Sequence, residues 1–197
     1  MLLCTALLTF SAAPQPAWPN SFISNFTENF KADSFSKNST GFYALDLGFD
    51  GGKGAQAIYR SDGTNTNCGQ FHPGAACTQL AVNEQRYLIF PELNTCCTCC
   101  SWKDGCGPII PGWTRGAKYA GQKSINGETC DDFLIQGFEA NHLLQTTDGA
   151  RLCELDNAGS DHMYFSRVGY ATKVDPSVFA LPAGGCSERC GKKGECQ

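Results

Sequence analysis

Thirteen cysteines in 197 residues constrain the fold of this chain more than any other feature of its sequence. Cys4 lies in an apolar N-terminal stretch, and the other twelve follow further along the chain. If Cys4 is removed with a leader peptide, the remaining even number can pair completely into six disulfides. The predicted disulfide cysteines are Cys68, Cys77, Cys96, Cys97, Cys99, Cys100, Cys106, Cys130, Cys153, Cys186, Cys190 and Cys196. Their spacing leaves the connectivity open.

The N-terminus has the pattern of a secretory leader. An uncharged apolar run from Leu2 to Phe10 is followed by small residues, and it is far shorter than the roughly 20 residues that span a bilayer. Cleavage is expected after Ser11, Ala13 or Ala17, and the alternative for this stretch is a short buried strand. We therefore predict a signal peptide in residues 1–17, a single domain in residues 18–197, and secretion without a membrane span.

The charge of the chain excludes one class of partner. Lys and Arg number 15 and Asp and Glu number 19, which gives a net charge of −4, and the basic residues form no stripe. Phosphate binding requires clustered positive charge, so nucleic acid is not expected as a partner. Two sequons, at Asn25 and Asn38, are the predicted N-glycosylation sites, and they agree with a secretory route.

Alternating apolar residues separated by glycine-containing turns predict a mainly β fold, α+β at most. The run from Tyr43 to Phe49 alternates in this way, and Asn126-Gly127 and Asp148-Gly149 each separate two further runs, which is a strong hairpin signal. No stretch shows a long 3.6-residue period, so we expect one antiparallel meander with one or two short helices. The cysteine-dense stretch from Cys96 to Cys106 is predicted to be a loop.

The cysteine cluster raises the question of metal or redox chemistry. Cys96 with Cys99, and Cys97 with Cys100, form two overlapping C-x-x-C pairs, the common half-site of structural zinc. A complete site needs a second matched pair, and the C-terminal cysteines are spaced too loosely to supply one clearly. In an oxidising compartment these thiols pair instead, so we favour disulfides over zinc and over a redox dithiol, and predict no metal ligands here.

No catalytic residue is predicted. Cys106 has the histidines His72, His142 and His162 as candidate partners of a thiol protease, but nothing distinguishes it from a bridge cysteine. The loop from Asp156 to Asp161 offers oxygen ligands for calcium, yet Ala158 stands where an EF-type loop needs a donor. No cofactor is therefore expected, and calcium held by scattered carboxylates is the one metal left open.

The second half of the chain resembles the ependymin-related proteins and their cysteine-rich secreted relatives in protists and plants. The resemblance begins at Pro111-Gly112-Trp113 and is sharpest in the tail from Val174 to Pro182, which is closed by Cys186. It implies a curved antiparallel half-barrel, also seen in bacterial periplasmic lipoprotein carriers, around an apolar pocket. It further implies a secreted, disulfide-linked, glycosylated, non-enzymatic protein associated with calcium and lipid-like ligands. The cluster from Cys96 to Cys106 is denser than in ependymins, and Glu154-Leu155 follows Cys153 where ependymins favour a proline-containing run.

These observations lead to three functional hypotheses. The first is a carrier whose curved sheet binds a hydrophobic small molecule or lipid, with a pocket chosen by strand parity. The expected pocket residues are Tyr43, Leu45, Leu47, Tyr87, Ile89 and Phe133. The second is a structural or adhesive protein, calcium-associated in one version, with a matrix or cell-surface partner. The third and least favoured is a zinc or thiol enzyme. The sequence does not specify an oligomeric state.

Overall fold

The computed structural model describes residues 14–32, 35–64, 66–137, 139–192 and 196. They form one 11-stranded antiparallel sheet that is curved and does not close. The predicted mainly β, half-barrel fold class is therefore confirmed. The predicted leader lies, as far as Ala13, outside the described residues. Residues 14–17 are described, and the contacts of Ala17 given below belong to a chain cleaved at Ser11 or Ala13, two of the three expected sites. No helix in the described part of the chain is long and apolar enough to cross a membrane.

The strands follow one another closely along the chain. They are β1 (Ser21–Ala32), β2 (Phe35–Asp46), β3 (Ala55–Arg60), β4 (Cys77–Val82), β5 (Gln85–Phe90), β6 (Thr95–Ser101), β7 (Lys118–Ile125), β8 (Glu128–Gln136), β9 (Ala140–Thr146), β10 (Leu152–Asn157) and β11 (Asp161–Phe165). Short 3₁₀ turns and one α-helical turn, α1 (Phe49–Gly52), connect them. Asp50 within α1 has a positive φ of 47°, so this segment acts as the turn that its Asp-Gly-Gly sequence predicts.

The order of strands across the sheet is β6-β5-β4-β3-β2-β1-β11-β10-β9-β8-β7. Two meanders, β1–β6 and β7–β11, are thus joined by the pairing of β1 with β11, where Phe26 lies opposite Phe165. On its other side Phe26 lies opposite Gly41. A Cβ on Gly41 would come within 1.8 Å of the Tyr59 carbonyl oxygen, so only glycine fits this close approach.

One prediction of local structure was wrong for the first part of the segment, Cys96 to Ser101, while residues 102–106 form a turn as predicted. The cysteine-dense stretch that begins at Cys96 is not a loop, because β6 (Thr95–Ser101) pairs with β5 over its length. Its cysteines and threonines alternate between the two faces of the strand, and a small side chain at each position suits a sheet edge held by disulfides. The sequence predicted a loop because dense cysteines are common in irregular structure, and because β6 lacks the large apolar residues found in the other strands.

The inner face of the sheet carries the larger apolar core. Phe22 and Phe26 of β1 point to the same side as Tyr43 and Leu45 of β2, as the residue parity predicts. Across the join, the core continues on β9, β10 and β11 with Leu143, Leu155, Met163 and Phe165. The core therefore extends over both meanders and makes them one packed unit.

The outer face of the first meander is covered by the C-terminal tail, residues 172–192. Val174 and Phe179 of the tail pack against a cluster of small and branched side chains on β2–β5. The members on the strands are Ala44, Ala55, Ala57, Leu80, Val82 and Tyr87. The alanines leave room for the tail to lie close to the sheet, and the two aromatic rings of Phe49 and Phe179 meet edge-on at 5.2 Å.

Six disulfides join all twelve cysteines that were predicted to pair. They are Cys68–Cys77, Cys96–Cys186, Cys97–Cys190, Cys99–Cys196, Cys100–Cys106 and Cys130–Cys153. Three of them connect edge strand β6 to the C-terminal tail and its end, as Cys96, Cys97 and Cys99 each take a different partner. The neighbouring cysteines thus bridge outward rather than to each other, and the C-x-x-C pairs hold no free thiols.

Candidate ligand-binding site

Two irregular segments cover the inner face in the described part of the chain. The first is the strap, residues 14–20, and the second is the 107–117 loop. Trp18 of the strap is 6% exposed and lies in the core cluster, with its ring centroid 6.0 Å from that of Phe22 and 5.2 Å from that of Trp113 in the loop. The two tryptophans meet at right angles, the edge-to-face geometry that aromatic pairs prefer. Trp18 thus fills the space that a half-barrel offers to a ligand.

The strap is joined to the sheet by a glutamine. Gln145 of β9 accepts a hydrogen bond from the Ala17 amide at 2.9 Å and donates its own amide to the Ala17 carbonyl. Beyond this pair, Trp18 Nε1 donates to the Ile109 carbonyl at 3.2 Å. Each such bond contributes about 0.5–1.5 kcal/mol net, so the three bonds together are comparable to the burial of the Trp18 side chain, and both hold the strap.

A second glutamine positions the loop. Gln56 of β3 accepts hydrogen bonds from the Ile109 amide at 2.8 Å and from the Tyr43 hydroxyl at 3.0 Å. Burial raises the pKa of Tyr43, because the phenolate would lose its hydration, despite the opposing charges of Arg60 and Arg86. Tyr43 therefore stays neutral and remains a donor. The two glutamines give the inner face a small set of fixed polar contacts within an apolar surface.

Two small cavities lie beside the strap, one on each side of the Ala17–Gln145 contact. The larger measures about 210 Å³ and is lined by Phe133 and Asp131 among others, and the smaller measures about 60 Å³ and is lined by Tyr170. Both are below the roughly 300 Å³ at which ligand pockets begin. A ligand of ordinary size therefore enters the inner face only if the strap moves away.

Two buried polar atoms beside this surface lack partners among the described residues. They are Trp113 Nε1 and the Tyr170 hydroxyl oxygen. Tyr170 stacks on Phe22 at 6.1 Å, and burial raises its pKa because the charged form would be desolvated. A buried donor without a partner costs about 1–3 kcal/mol unless water or a ligand satisfies it. The inner face thus offers two donors to an acceptor group on a bound molecule.

The inner face is not apolar throughout. On β1 and β3, Glu28 and Arg60 form a buried ion pair at 2.8 Å, and Arg60 also donates to Gln79 at 2.9 Å. Nearby, burial and the charge of Glu28 raise the pKa of Asp161. Removal of either partner would leave the other charge buried and unpaired, so both side chains are needed here. The apolar surface of the inner face ends at this pair.

The structure divides the predicted pocket residues between the two faces. Tyr43 and Leu45 are buried in the inner core, and Leu47 packs against it. Phe133 is also buried on the inner face and lines the larger cavity. In contrast, Tyr87 and Ile89 belong to the outer face, beneath the C-terminal tail. Parity assigned faces correctly within each strand, but it cannot decide which faces of distant strands coincide.

The residues that close the inner face were not among the predicted pocket residues. Trp18 falls directly after the predicted leader, and its size and apolarity at that point were the available signal for a role in the core. Gln56 and Gln145 carry no comparable signal, because a buried glutamine cannot be told from an exposed one by its neighbours along a strand. Their roles depend on contacts between residues far apart in sequence.

The outer face has two open clefts. One of about 620 Å³ lies between the β7–β8 turn and the end of β11, and Val168 at its rim is 80% exposed. The other, of about 530 Å³, lies between β5, β6 and the tail, and Ile89 lines it. Both are open and rich in polar groups, unlike the apolar inner face.

Both predicted glycosylation sites lie on the outer face. Asn25 with Thr27, and Asn38 with Thr40, are exposed on the paired strands β1 and β2, so both sequons are accessible. Asn25 lines the 620 Å³ cleft. A glycan attached there would occupy the outer surface and leave the inner face unobstructed.

Comparisons with known proteins identify the fold alone. No protein-family model matches the sequence, and no curated protein matches it either. Among solved structures, a conserved protein of Thermus thermophilus is similar with a TM-score of 0.51 and 9% identity, over 87% of this chain and 91% of that one. The ependymin resemblance therefore stays a prediction.

Two further solved structures are more distant. A LolA superfamily protein from Nitrosomonas europaea has a TM-score of 0.38 at 9% identity, covering 85% of this chain and 93% of that one. The Pseudomonas aeruginosa MucA/MucB complex contains a chain with a TM-score of 0.43 at 11% identity, covering 81% of this chain and 55% of that one. At these scores the similarities carry no argument about function.

Proposed function

We propose that this protein is a secreted, non-enzymatic carrier that binds a hydrophobic, lipid-like molecule on the inner face of its half-barrel. The observation that carries the proposal is the way this face is closed. An apolar surface from six strands is covered by one tryptophan on a non-helical strap, with small cavities on either side. Such a cover can be displaced at a smaller cost than a packed helix or second sheet.

The chemistry of the inner face indicates an amphipathic ligand. An apolar chain would take the place of Trp18 against Phe22 and Tyr43, so that one buried apolar surface is exchanged for another. A polar group would accept a hydrogen bond from Trp113 Nε1 or from the Tyr170 hydroxyl. The ligand would thus replace the lost contacts and satisfy a donor that the closed state leaves without a partner.

Quenching of tryptophan fluorescence by a brominated fatty acid tests this proposal. The chain has three tryptophans, of which Trp18 and Trp113 lie at the inner face and Trp102 lies elsewhere. We expect saturable quenching in the intact protein, the same quenching in Trp102→Phe, and loss of most of it in the double variant Trp18→Phe, Trp113→Phe. No saturable quenching, or quenching that only Trp102→Phe removes, would place the ligand elsewhere or disprove binding.

A matched pair of glutamine variants tests the role of the strap. Gln145→Leu removes both hydrogen bonds to Ala17 while keeping the side-chain volume, and should speed fatty-acid uptake several-fold in stopped-flow fluorescence. Gln79→Leu is the control, because Gln79 is an inner-face glutamine that bonds to Arg60 and does not touch the strap. Equal rates for Gln145→Leu and the unmodified protein would show that the strap does not gate access.

The alternative of an adhesive protein is favoured by the open edge of the sheet. Among the described residues strand β7 pairs only with β8, and most of its residues are exposed, including Tyr119 at 39%. An edge strand with free backbone groups can pair with a strand of another protein. Lys118, Lys123 and the irregular pairing at Gly121 oppose this, since charges and bulges protect edges from such pairing. We therefore rank adhesion second.

A further inference from the structure

The outer face of the second meander carries a group of charged side chains that the carrier function does not use. Asp132 of β8, Glu154 and Asp156 of β10 are all buried there, although each is a carboxylate. Histidines from the neighbouring strands face them, His142 on β9 and His162 on β11. Buried carboxylates are costly unless cations or hydrogen bonds compensate them.

The cations are shared unequally among these carboxylates. Asp132 pairs with Lys123 Nζ at 2.9 Å and with His142 Nδ1 at 2.7 Å. Glu154 and Asp156 form no ion pair with a lysine or arginine in the described part of the chain, and they share only His162, whose Nδ1 lies 2.7 Å from Glu154 Oε1 and 3.8 Å from Asp156 Oδ1. Two neighbouring buried carboxylates thus share one directly paired imidazole. The Gly159 amide donates to Asp156 Oδ1 at 2.7 Å, and the charge of Lys123 acts on both carboxylates from a greater distance, so the direct contacts supply less positive charge than the two carboxylates carry.

The hydrogen bond at the far side of the His162 ring selects the ligand atom. Nε2 faces the Gly159 carbonyl oxygen at 3.3 Å, so Nε2 carries a proton and donates it there. The ring also stacks on Tyr164, with centroids 5.9 Å apart, which fixes its plane. A histidine that binds a metal usually donates its other N–H to a carbonyl or carboxylate. Without a metal, His162 Nδ1 donates a proton to Glu154 Oε1, and a metal ion would displace that proton and bind Nδ1 beside the two carboxylates.

We propose that Glu154, Asp156 and His162 bind a divalent transition metal ion of the zinc type. One ligand atom from each lies within 4.8 Å of the others, and His162 is a quarter exposed, so solvent can supply the fourth ligand. Ligands about 2.0–2.2 Å from zinc in a tetrahedron are roughly 3.4 Å apart, and the observed distances of 2.7 and 3.8 Å bracket that value. The dication would supply the missing positive charge.

Two alternatives fit less well. Calcium takes six to eight oxygen ligands, whereas this site contains an imidazole nitrogen and two carboxylates. A second group of candidate ligands, Glu128 with Cys130 and Cys153, contains no thiolate because the two cysteines form a disulfide. The histidine site is therefore the one that suits a transition metal.

Zinc titration of the full chain after chelator treatment tests the proposal. We expect one zinc per chain by competition with a chromophoric chelator, at least a tenfold weaker affinity in His162→Ala and Glu154→Gln, and no effect in His142→Ala. His142 is a matched control, since it lies on the same face and also pairs with a buried carboxylate at 2.7 Å. Calcium should not compete.

A thermal measurement separates lost binding from lost folding. Zinc should raise the Tm of the unmodified protein and of His142→Ala, and should leave the Tm of Glu154→Gln unchanged even though that variant still unfolds cooperatively. No zinc binding in the unmodified protein, or equal weakening by His142→Ala and His162→Ala, would overturn the assignment. Cobalt substitution with tetrahedral absorption bands would support it.

Discussion

Two segments cover this sheet, and they are attached in opposite ways. The C-terminal tail on the outer face is joined to β6 by three disulfides, and Thr98 adds backbone hydrogen bonds with Glu188 and Cys190. The strap on the inner face is held by Trp18 and by hydrogen bonds such as those between Ala17 and Gln145. One cover is attached covalently and the other only by non-covalent contacts, which is the asymmetry that the proposed carrier function requires.

Removing the three tail disulfides should have the largest effect. Serine at all six of these cysteines would free the tail, and closing a loop of 90 or more residues contributes about 4.7 kcal/mol in the chain-entropy account. The free energy of unfolding in urea should fall by at least that amount. Serine at Cys130 and Cys153 alone, which close a loop of 23, should cost less, about 3 kcal/mol. The reverse order would contradict the role given to the tail.

Truncating the aromatic anchor of the tail should come next. Phe179 is 2% exposed and packs on Phe49, so Phe179→Ala should destabilise the protein by about 3–5 kcal/mol. Leu134→Ala, on the outer face of the second meander that the tail does not cover, should cost less than half of this. Urea unfolding measures both, and similar losses would mean that the tail contributes little to the core.

Trp18→Ala should separate stability from binding. In the absence of ligand the variant should lose about 3 kcal/mol, because a buried aromatic side chain is removed. Added fatty acid should restore part of this loss, since its chain fills the same space, and the rise in Tm should exceed that of the unmodified protein. A Tm that fatty acid does not change in either protein would argue against exchange of Trp18 for ligand.

The smallest effect is expected at a half-buried ion pair of the first meander. Lys37 contacts Asp62 at 2.8 Å, and although partial burial raises the pKa of Asp62, hydrogen bonds from Lys37 and Thr64 lower it overall. A lowered pKa stabilises the fold above the ordinary pKa of about 4, and this contribution is lost as the pH falls through the folded value. Lys37→Ala should reduce stability at pH 7 by less than about 1 kcal/mol and flatten the acid limb of the pH profile.

Much of the fold could be predicted from the sequence because it depends on local signals. The Asn126-Gly127 pair has φ values of 51° and 81°, which the hairpin turn between β7 and β8 requires. The alternation that begins at Tyr43 predicts a strand, and Tyr43 to Asp46 lie in β2. Complete pairing of the twelve cysteines after Cys4 could also be predicted, because an even number is the only requirement that the prediction used.

The candidate site could be predicted only in part because it depends on distant contacts. Phe133 and Tyr43 share a face, yet Tyr87 does not, since the alignment of strands follows from the β1–β11 join between the chain's two halves. The hydrogen bonds that hold the strap likewise join Ala17 and Gln145, which are 128 positions apart. No short-range pattern encodes such a contact.

Native mass spectrometry of the protein secreted from its source cells tests the central claim most directly. We expect a bound molecule of defined mass, one per chain, that organic extraction releases and that added fatty acid replaces. In Trp113→Phe, which removes a donor to the ligand, the bound fraction should fall, while Trp102→Phe should keep it. A protein that leaves the cell without a bound molecule, and that takes up no fatty acid after extraction, would contradict the proposal that the inner face is a carrier site.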